Sequence, residues 1–231
     1  MYNTCMARDY VFAPEEYYHI YNRGVEKRKI FLNKRDYERF LFLLFICNNS
    51  SSIEIRNYGG LTSVEKFNLK RENTLVDIGA YCLMPNHFHL LLKEKVEGGI
   101  SLFMQKLMTA YTMYFNKVYK RSGVLFQGSF KARHVDEDKY LKYLYAYIHL
   151  NPIKLIETKW KEKIVKNNEK AKEFLSTYTY SSYLDFTGID RVEGSILNKS
   201  VFPDYFQNEV SFREFVHSWL DSIEFAEDTE V

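Results

Sequence analysis

Cysteine is scarce in this chain. Cys5, Cys47 and Cys82 are scattered, with no CxxC spacing among them. That excludes a zinc knuckle and a disulfide framework. Cys82 lies in an apolar run, where a thiol behaves as a small buried hydrophobe. Four prolines and ten glycines in 231 residues are too few for a collagen-like or Pro/Gly-rich disordered chain. No apolar stretch approaches ~18 residues, so a membrane span is not expected. Residues 1–8 lack the basic start and apolar centre of a signal peptide. A reducing cytoplasm is therefore the expected compartment. Charge of one sign is lacking too: the net value is +2, so bulk charge announces no nucleic-acid partner.

What is abundant is apolar and aromatic. Apolar residues make up 46% of the chain and aromatics 17%, with 19 Tyr and 18 Phe, which supplies a real core and excludes wholesale disorder. Charge is unevenly spread. Residues 100–133 carry six Lys/Arg and no Asp/Glu, whereas residues 220–231 carry five acids and no base. The basic stretch is interleaved with Tyr, Phe and Gln, as platforms for single-stranded nucleic acid require. A solvated helix face is the simpler account of the same lysines.

Periodicity orders the chain. Residues 17–23 alternate and are aromatic or β-branched, which predicts a strand. Asn33 as N-cap and Asp36 at N3 open a helix over 34–46. Residues 48–73 are polar and punctuated, as in a long loop or insertion. Two strands follow, 76–83 and 87–93, with Pro85 marking the bend between them. A second helix is predicted over 100–119, an extended segment over 124–133, and a third helix over 136–150 that stops before Pro152. Strand–helix–strand–strand–helix–strand–helix points to an α+β fold: a ferredoxin-like split βαβ antiparallel sheet with helices on one face. The first domain is expected over 1–155. Residues 156–231 are expected to form a C-terminal accessory helical region, with a charged helix over 159–172, a Ser/Thr/Tyr-rich stretch over 178–183, an amphipathic segment over 212–225 and a frayed acidic tail.

The chemistry-bearing residues stand out against this frame. His87 and His89 flank Phe88 on a strand, so both imidazoles share one face. Two neutral imidazoles make half a metal site. On the HxH spacing alone, an ordinary polar pair on a half-exposed strand explains them as well. Tyr147 and Asn151 are four apart on a helix, hence one turn apart on one face. Asn can ligate a hard cation through oxygen, and Tyr can act as a nucleophile. Equally, Tyr147 fits an amphipathic stripe with Tyr140, Tyr143, Leu144 and Ile148, and Asn151 fits a helix end.

Three blocks carry a resemblance. Met84-Pro85-Asn86-His87-Phe88-His89, then Phe126-Gln127-Gly128-Ser129-Phe130-Lys131, then Tyr147-Ile148-His149-Leu150-Asn151-Pro152 closely resemble the single-tyrosine HUH transposases, nearest the REP-associated branch. The resemblance covers roughly residues 14–156. It implies a DNA-cleaving and strand-transferring enzyme acting on single-stranded or hairpin DNA through a 5′-phosphotyrosine. Tyr147 would be the nucleophile. His87, His89 and Asn151 would hold a divalent metal, Mg²⁺ or Mn²⁺. In the wider family the residue four after the tyrosine is often Gln, and Asn151 has a shorter reach. Arg23, Lys117, Lys120, Arg121, Lys131 and Arg133 are the expected DNA-binding residues. A homodimer is compatible with the resemblance, whose members use the tyrosine helix within one subunit or across two. Two other readings stay open: a non-catalytic DNA-binding regulator, and a metal-dependent hydrolase using an activated water.

Overall fold

Four strands build the centre of the molecule: β1 (Tyr17–Arg23), β2 (Val76–Met84), β3 (His87–Glu94) and β4 (Lys131–Val135). The computed structural model describes residues 11–52, 54, 58–157 and 167–222. The strands form one antiparallel sheet in the order β2-β3-β1-β4, the split βαβ arrangement with β3 between β2 and β1. Arg23 lies opposite His87 and Tyr21 opposite His89. On the other side of β1, Tyr21 pairs with Lys131 and His19 with Arg133. Directly paired residues share a face, so these side chains belong to one surface of the sheet.

The first helix, α1 (Lys34–Ile46), starts where the sequence predicts, with a capping box between Asn33 and Asp36. The Asp36 carboxylate accepts from the backbone N–H groups of Leu32 and Asn33, and from the hydroxyls of Tyr114 (2.9 Å) and Tyr119 (2.7 Å). It therefore ties α1 to the long helix behind it. The stretch expected to be unstructured contains a short helix, α2 (Ser63–Phe67), with its own Thr62/Glu65 capping box. Phe67 buries itself against Phe42 and Phe45; one apolar side chain anchors the turn, too short a signal for periodicity.

The helix α3 (Gly99–Val118) is capped by the buried Glu94, whose carboxylate accepts from Gly99 N (3.1 Å) and Ile100 N (2.7 Å). Together α1 and α3 cover one sheet face around Ile20, Phe40, Phe88, Leu90, Leu92 and Tyr111. The expected α+β fold with helices on one face holds for these two. The next helix, α4 (Asp138–Leu150), packs on the opposite face against Ala80, Cys82, Met84 and Leu91.

Residues beyond 156 complete that second layer. They include α5 (Asn168–Thr177), α6 (Tyr183–Phe186) and α7 (Glu209–Ser222). Between α5 and α6 the chain runs along the outer edge of β2: Leu83 N donates to Tyr180 O (2.9 Å) and Ser182 N to Tyr81 O (3.0 Å). A sheet edge left open would invite foreign strands, and this segment closes it. Nearby, β2 carries a register irregularity between Ile78 and Ala80, and a Cβ on the intervening Gly79 would lie 2.6 Å from the Phe202 ring. Finally, α7 buries Phe212, Val216 and Leu220 with Ala146 and Leu150 of α4.

Some expectations fall outside the described residues: those on residues 1–8 and Cys5, the part of the charged helix over 159–166, and the acidic tail from 223. Among the described residues no helix is long and apolar enough to cross a membrane.

Candidate active site

The histidine block is positioned by a two-residue turn. Pro85 and Asn86 join β2 to β3, and the Pro85 carbonyl accepts from Ile30 N (2.8 Å) and Phe31 N (3.1 Å). Alternation then turns Phe88 into the α1/α3 core while His87 and His89 face α4. Their ring centroids are 5.1 Å apart, with planes at 89°. His87 Nδ1 lies 2.7 Å from Asn86 Oδ1.

From α4, Tyr147 reaches the same place. Its ring meets that of His89 edge-on at 5.3 Å, with planes at 86°, and that of His19 at 5.8 Å. Tyr147 is 1% exposed, so the tyrosine is enclosed between sheet and helix layer. One turn earlier Tyr143 lies 6.0 Å from Tyr147 and 5.2 Å from Trp219 of α7. Tyr145 points elsewhere, into Phe186, Tyr205 and Phe206. Asn151 is fully buried where α4 ends. Its Nδ2 donates to Tyr147 O at 2.8 Å. Its Oδ1 is buried and accepts no hydrogen bond from the described residues. A buried amide oxygen left in that state carries a desolvation penalty of about 1–3 kcal/mol, which a cation would relieve. No group of three His, Cys, Asp or Glu among the described residues is arranged for a metal, so a two-His site needs a neutral oxygen such as this one.

The expected DNA-binding residues divide into two sets. Arg23, Lys131 and Arg133 share the sheet face of the histidines, by register. Arg23 Nε donates to Gln127 Oε1 at 2.5 Å, and Arg133 stacks over Tyr140 at 4.3 Å. Lys117, Lys120 and Arg121 lie instead at the C-terminal end of α3, in the helix layer on the opposite face. There Arg121 donates to Asn116 Oδ1 and covers Phe115. Most aromatics interleaved with these charges are turned into the core. Phe103, Tyr111, Phe115, Phe126 and Phe130 are all buried; helical spacing sends the first three inward from α3, and Phe126 and Phe130 reach the same core from the segment after it.

Sequence reasoning passed over His19. It is fully buried on β1, its Nε2 sits 2.9 Å from His89 Nδ1, and the rings stack at 5.1 Å. Burial, and then the nearby Arg133 charge, push its pKa down to about 3. The available signal was the alternation of β1, which puts His19 on the face of Tyr17, Tyr21 and Arg23. A second buried histidine, His149, bridges Tyr145 O and Ser182 Oγ (2.7 Å), and burial pushes it down to about 3 as well.

This sheet and its facing tyrosine helix fall in a segment, residues 14–151, that matches the family model described as Transposase IS200 like. The protein is thus of the DNA transposase class. The chain belongs to the IS200-like transposase family. Among solved structures, a REP-associated tyrosine transposase bound to a REP hairpin aligns at 12% identity and a TM-score of 0.46, over 82% of this chain and 90% of that one. The tRNA(His) guanylyltransferase of Saccharomyces cerevisiae aligns at 11% and 0.36, over 86% of each chain. Both likenesses are too distant to carry function. No curated protein matches the chain.

Proposed function

We propose that this transposase cuts and rejoins single-stranded or hairpin DNA through a 5′-phosphotyrosine on Tyr147. His87, His89 and Asn151 would hold a divalent metal, Mg²⁺ or Mn²⁺, and the enzyme would work in the cytoplasm. One observation carries this reading. In a chain of the IS200-like transposase family, the Tyr147 ring stands edge-on to His89 at 5.3 Å. The buried Asn151 Oδ1, which accepts no hydrogen bond from the described residues, supports the metal assignment.

A bound divalent metal would polarise the scissile phosphate and stabilise the charge developing on its oxygens. The protein's own groups do the rest. Tyr147 Oη forms a bond to phosphorus while the bond from phosphorus to the 3′-oxygen breaks. The phenolic proton is given up, and the 3′-oxygen leaves as a hydroxyl. A later attack by a 3′-hydroxyl on the phosphotyrosine reverses these steps, so the strand is resealed with no external energy source. Arg23, Lys131 and Arg133 would hold phosphates flanking the reacting one, and Lys117, Lys120 and Arg121 a more distant stretch of backbone. Asn151 follows Tyr147 by one turn, and the bond from its Nδ2 to Tyr147 O at 2.8 Å orients its short amide.

The test is incubation of end-labelled single-stranded DNA with the protein and Mn²⁺, resolved on denaturing gels. A protein–DNA adduct is expected, and Tyr147→Phe should remove it. An adduct that survives Tyr147→Phe sinks the nucleophile assignment. Cleavage with no adduct moves the reading to a hydrolase using an activated water, and binding with neither moves it to a regulator.

A further inference from the structure

Each of the two strand histidines meets a different polar partner through Nδ1. For His87 that partner is Asn86 Oδ1 at 2.7 Å. The Asn86 amide is itself oriented, because its Nδ2 donates to the Lys27 carbonyl at 3.3 Å. An amide oxygen only accepts, so the hydrogen of His87 lies on Nδ1 and the lone pair on Nε2. The Lys27 carbonyl is aimed by an unusual turn: Glu26 and Lys27 both take left-handed backbone, with φ 56° and 58°. Two consecutive non-glycine residues hold that conformation only where the surroundings impose it.

For His89 the partner is His19 Nε2 at 2.9 Å. His19 comes from the neighbouring strand and is fully buried. Its ring is packed against His89 at 21° between planes, and against Tyr21 and Tyr147. One hydrogen is shared between the facing nitrogens of the two rings. If His89 Nδ1 carries it, the His89 lone pair sits on Nε2. If His19 carries it, His89 is left with N–H at Nε2 and cannot ligate through that nitrogen.

We propose that Asn86 and His19 are positioning residues that hold His87 and His89 in one common tautomer, hydrogen on Nδ1 and lone pair on Nε2. The arrangement exists before any metal arrives, so both rings are ready to ligate through the same atom. Its purpose rests on the metal reading above; its existence does not. Histidine ligands elsewhere are tuned by such a second contact, whose loss weakens metal binding about 10- to 100-fold. Here the second contact to one ligand is another imidazole, which accepts a hydrogen bond while adding a ring face to the buried stack.

The experiment is long-range ¹H–¹⁵N correlation NMR on the metal-free, full-length protein labelled in its histidine rings, paired with Mn²⁺ titration. The wild type should show both His87 and His89 with the hydrogen on Nδ1. His19→Phe keeps a ring but removes the acceptor. It should put His89 into a tautomer mixture, leave His87 unchanged, and weaken Mn²⁺ binding about 10- to 100-fold. His19→Gln restores an acceptor and should recover most of both signals. Asn86→Ala should do to His87 what His19→Phe does to His89. A wild-type His89 with its hydrogen on Nε2 overturns the proposal with no variant needed. So does a His19→Phe protein with unchanged tautomers, or a folded His19→Gln protein as weak as His19→Phe. A wild type that shows the Nδ1–H pattern yet binds no Mn²⁺ upholds the positioning and instead overturns the metal reading.

Discussion

At position 79 a hydrogen atom is all that the fold admits. A methyl there would lie 2.6 Å from the Phe202 ring, and the ring closes the sheet from the α4 side. Gly79→Ala should destabilise the protein by about 1–3 kcal/mol, the usual penalty of overpacking. Adding Phe202→Leu should return part of that loss in thermal unfolding. His149 makes a second prediction at this scale. Its folded-state pKa is pushed from 6.5 down to about 3, so the native state resists a proton that the unfolded chain accepts. Stability is then full above pH 6.5 and falls as pH drops from there toward 3. Between pH 7 and pH 5 the share due to His149 should be about 2 kcal/mol, visible in urea midpoints as the difference between wild type and His149→Gln, which keeps the comparable loss due to the equally depressed His19. Residues of this kind differ in how legible they were. His87 and His89 were readable because a period of two needs only three positions to place them on one face. Asn33 and Asp36 were readable as a cap for the same local reason. His19 was not, since its meaning comes from register with a strand about seventy residues away.

Whole elements were legible where they were long and periodic. The bounds of α1 follow from the sequence, and those of α3 and α4 nearly so. A five-residue helix such as α2 has no full period to show. In the basic, aromatic stretch over 100–133 the same spacing serves a helix buried on one side and a nucleic-acid platform, and only burial tells which aromatics belong to the core. The strap along β2 was opaque, because a Ser/Thr/Tyr-rich stretch announces no partner. Its geometry depends on Arg191. The guanidinium pairs with Asp185 at 2.5 Å and also donates to Tyr81 Oη, Thr179 O and Ser181 O. Removing one partner from a buried ion pair strands the other. Arg191→Ala should therefore lower stability by about 3–5 kcal/mol. Arg191→Lys should recover little of it, because an ammonium cannot reproduce the planar fork; calorimetry on the three proteins checks both.

For the molecule as a whole, His87, His89, Tyr147 and Asn151 lie in one chain, and the tyrosine is already beside the histidine. Each copy should then act alone. Mixing Tyr147→Phe with His87→Ala protein should yield no adduct-forming activity, whereas exchange of tyrosine helices between copies would restore it. The family match ends at residue 151, and the fold continues past it and past the expected boundary at 155: Tyr178 and Phe202 sit in the cluster that buries Tyr147. A protein ending at residue 155 should expose the β2 edge and the outer side of α4. It should elute as aggregate in size-exclusion chromatography, while the full chain does not.

The strap also sets a timetable. The bond between Tyr81 N and Ser182 Oγ spans 101 residues of chain, so β2 leaves the ribosome long before its edge partner has been made. During that interval the sheet is exposed on one side, and the helix bearing Tyr147 lacks its α7 cover. Synthesis halted anywhere upstream of residue 182 would thus yield a sticky fragment for proteases to clear.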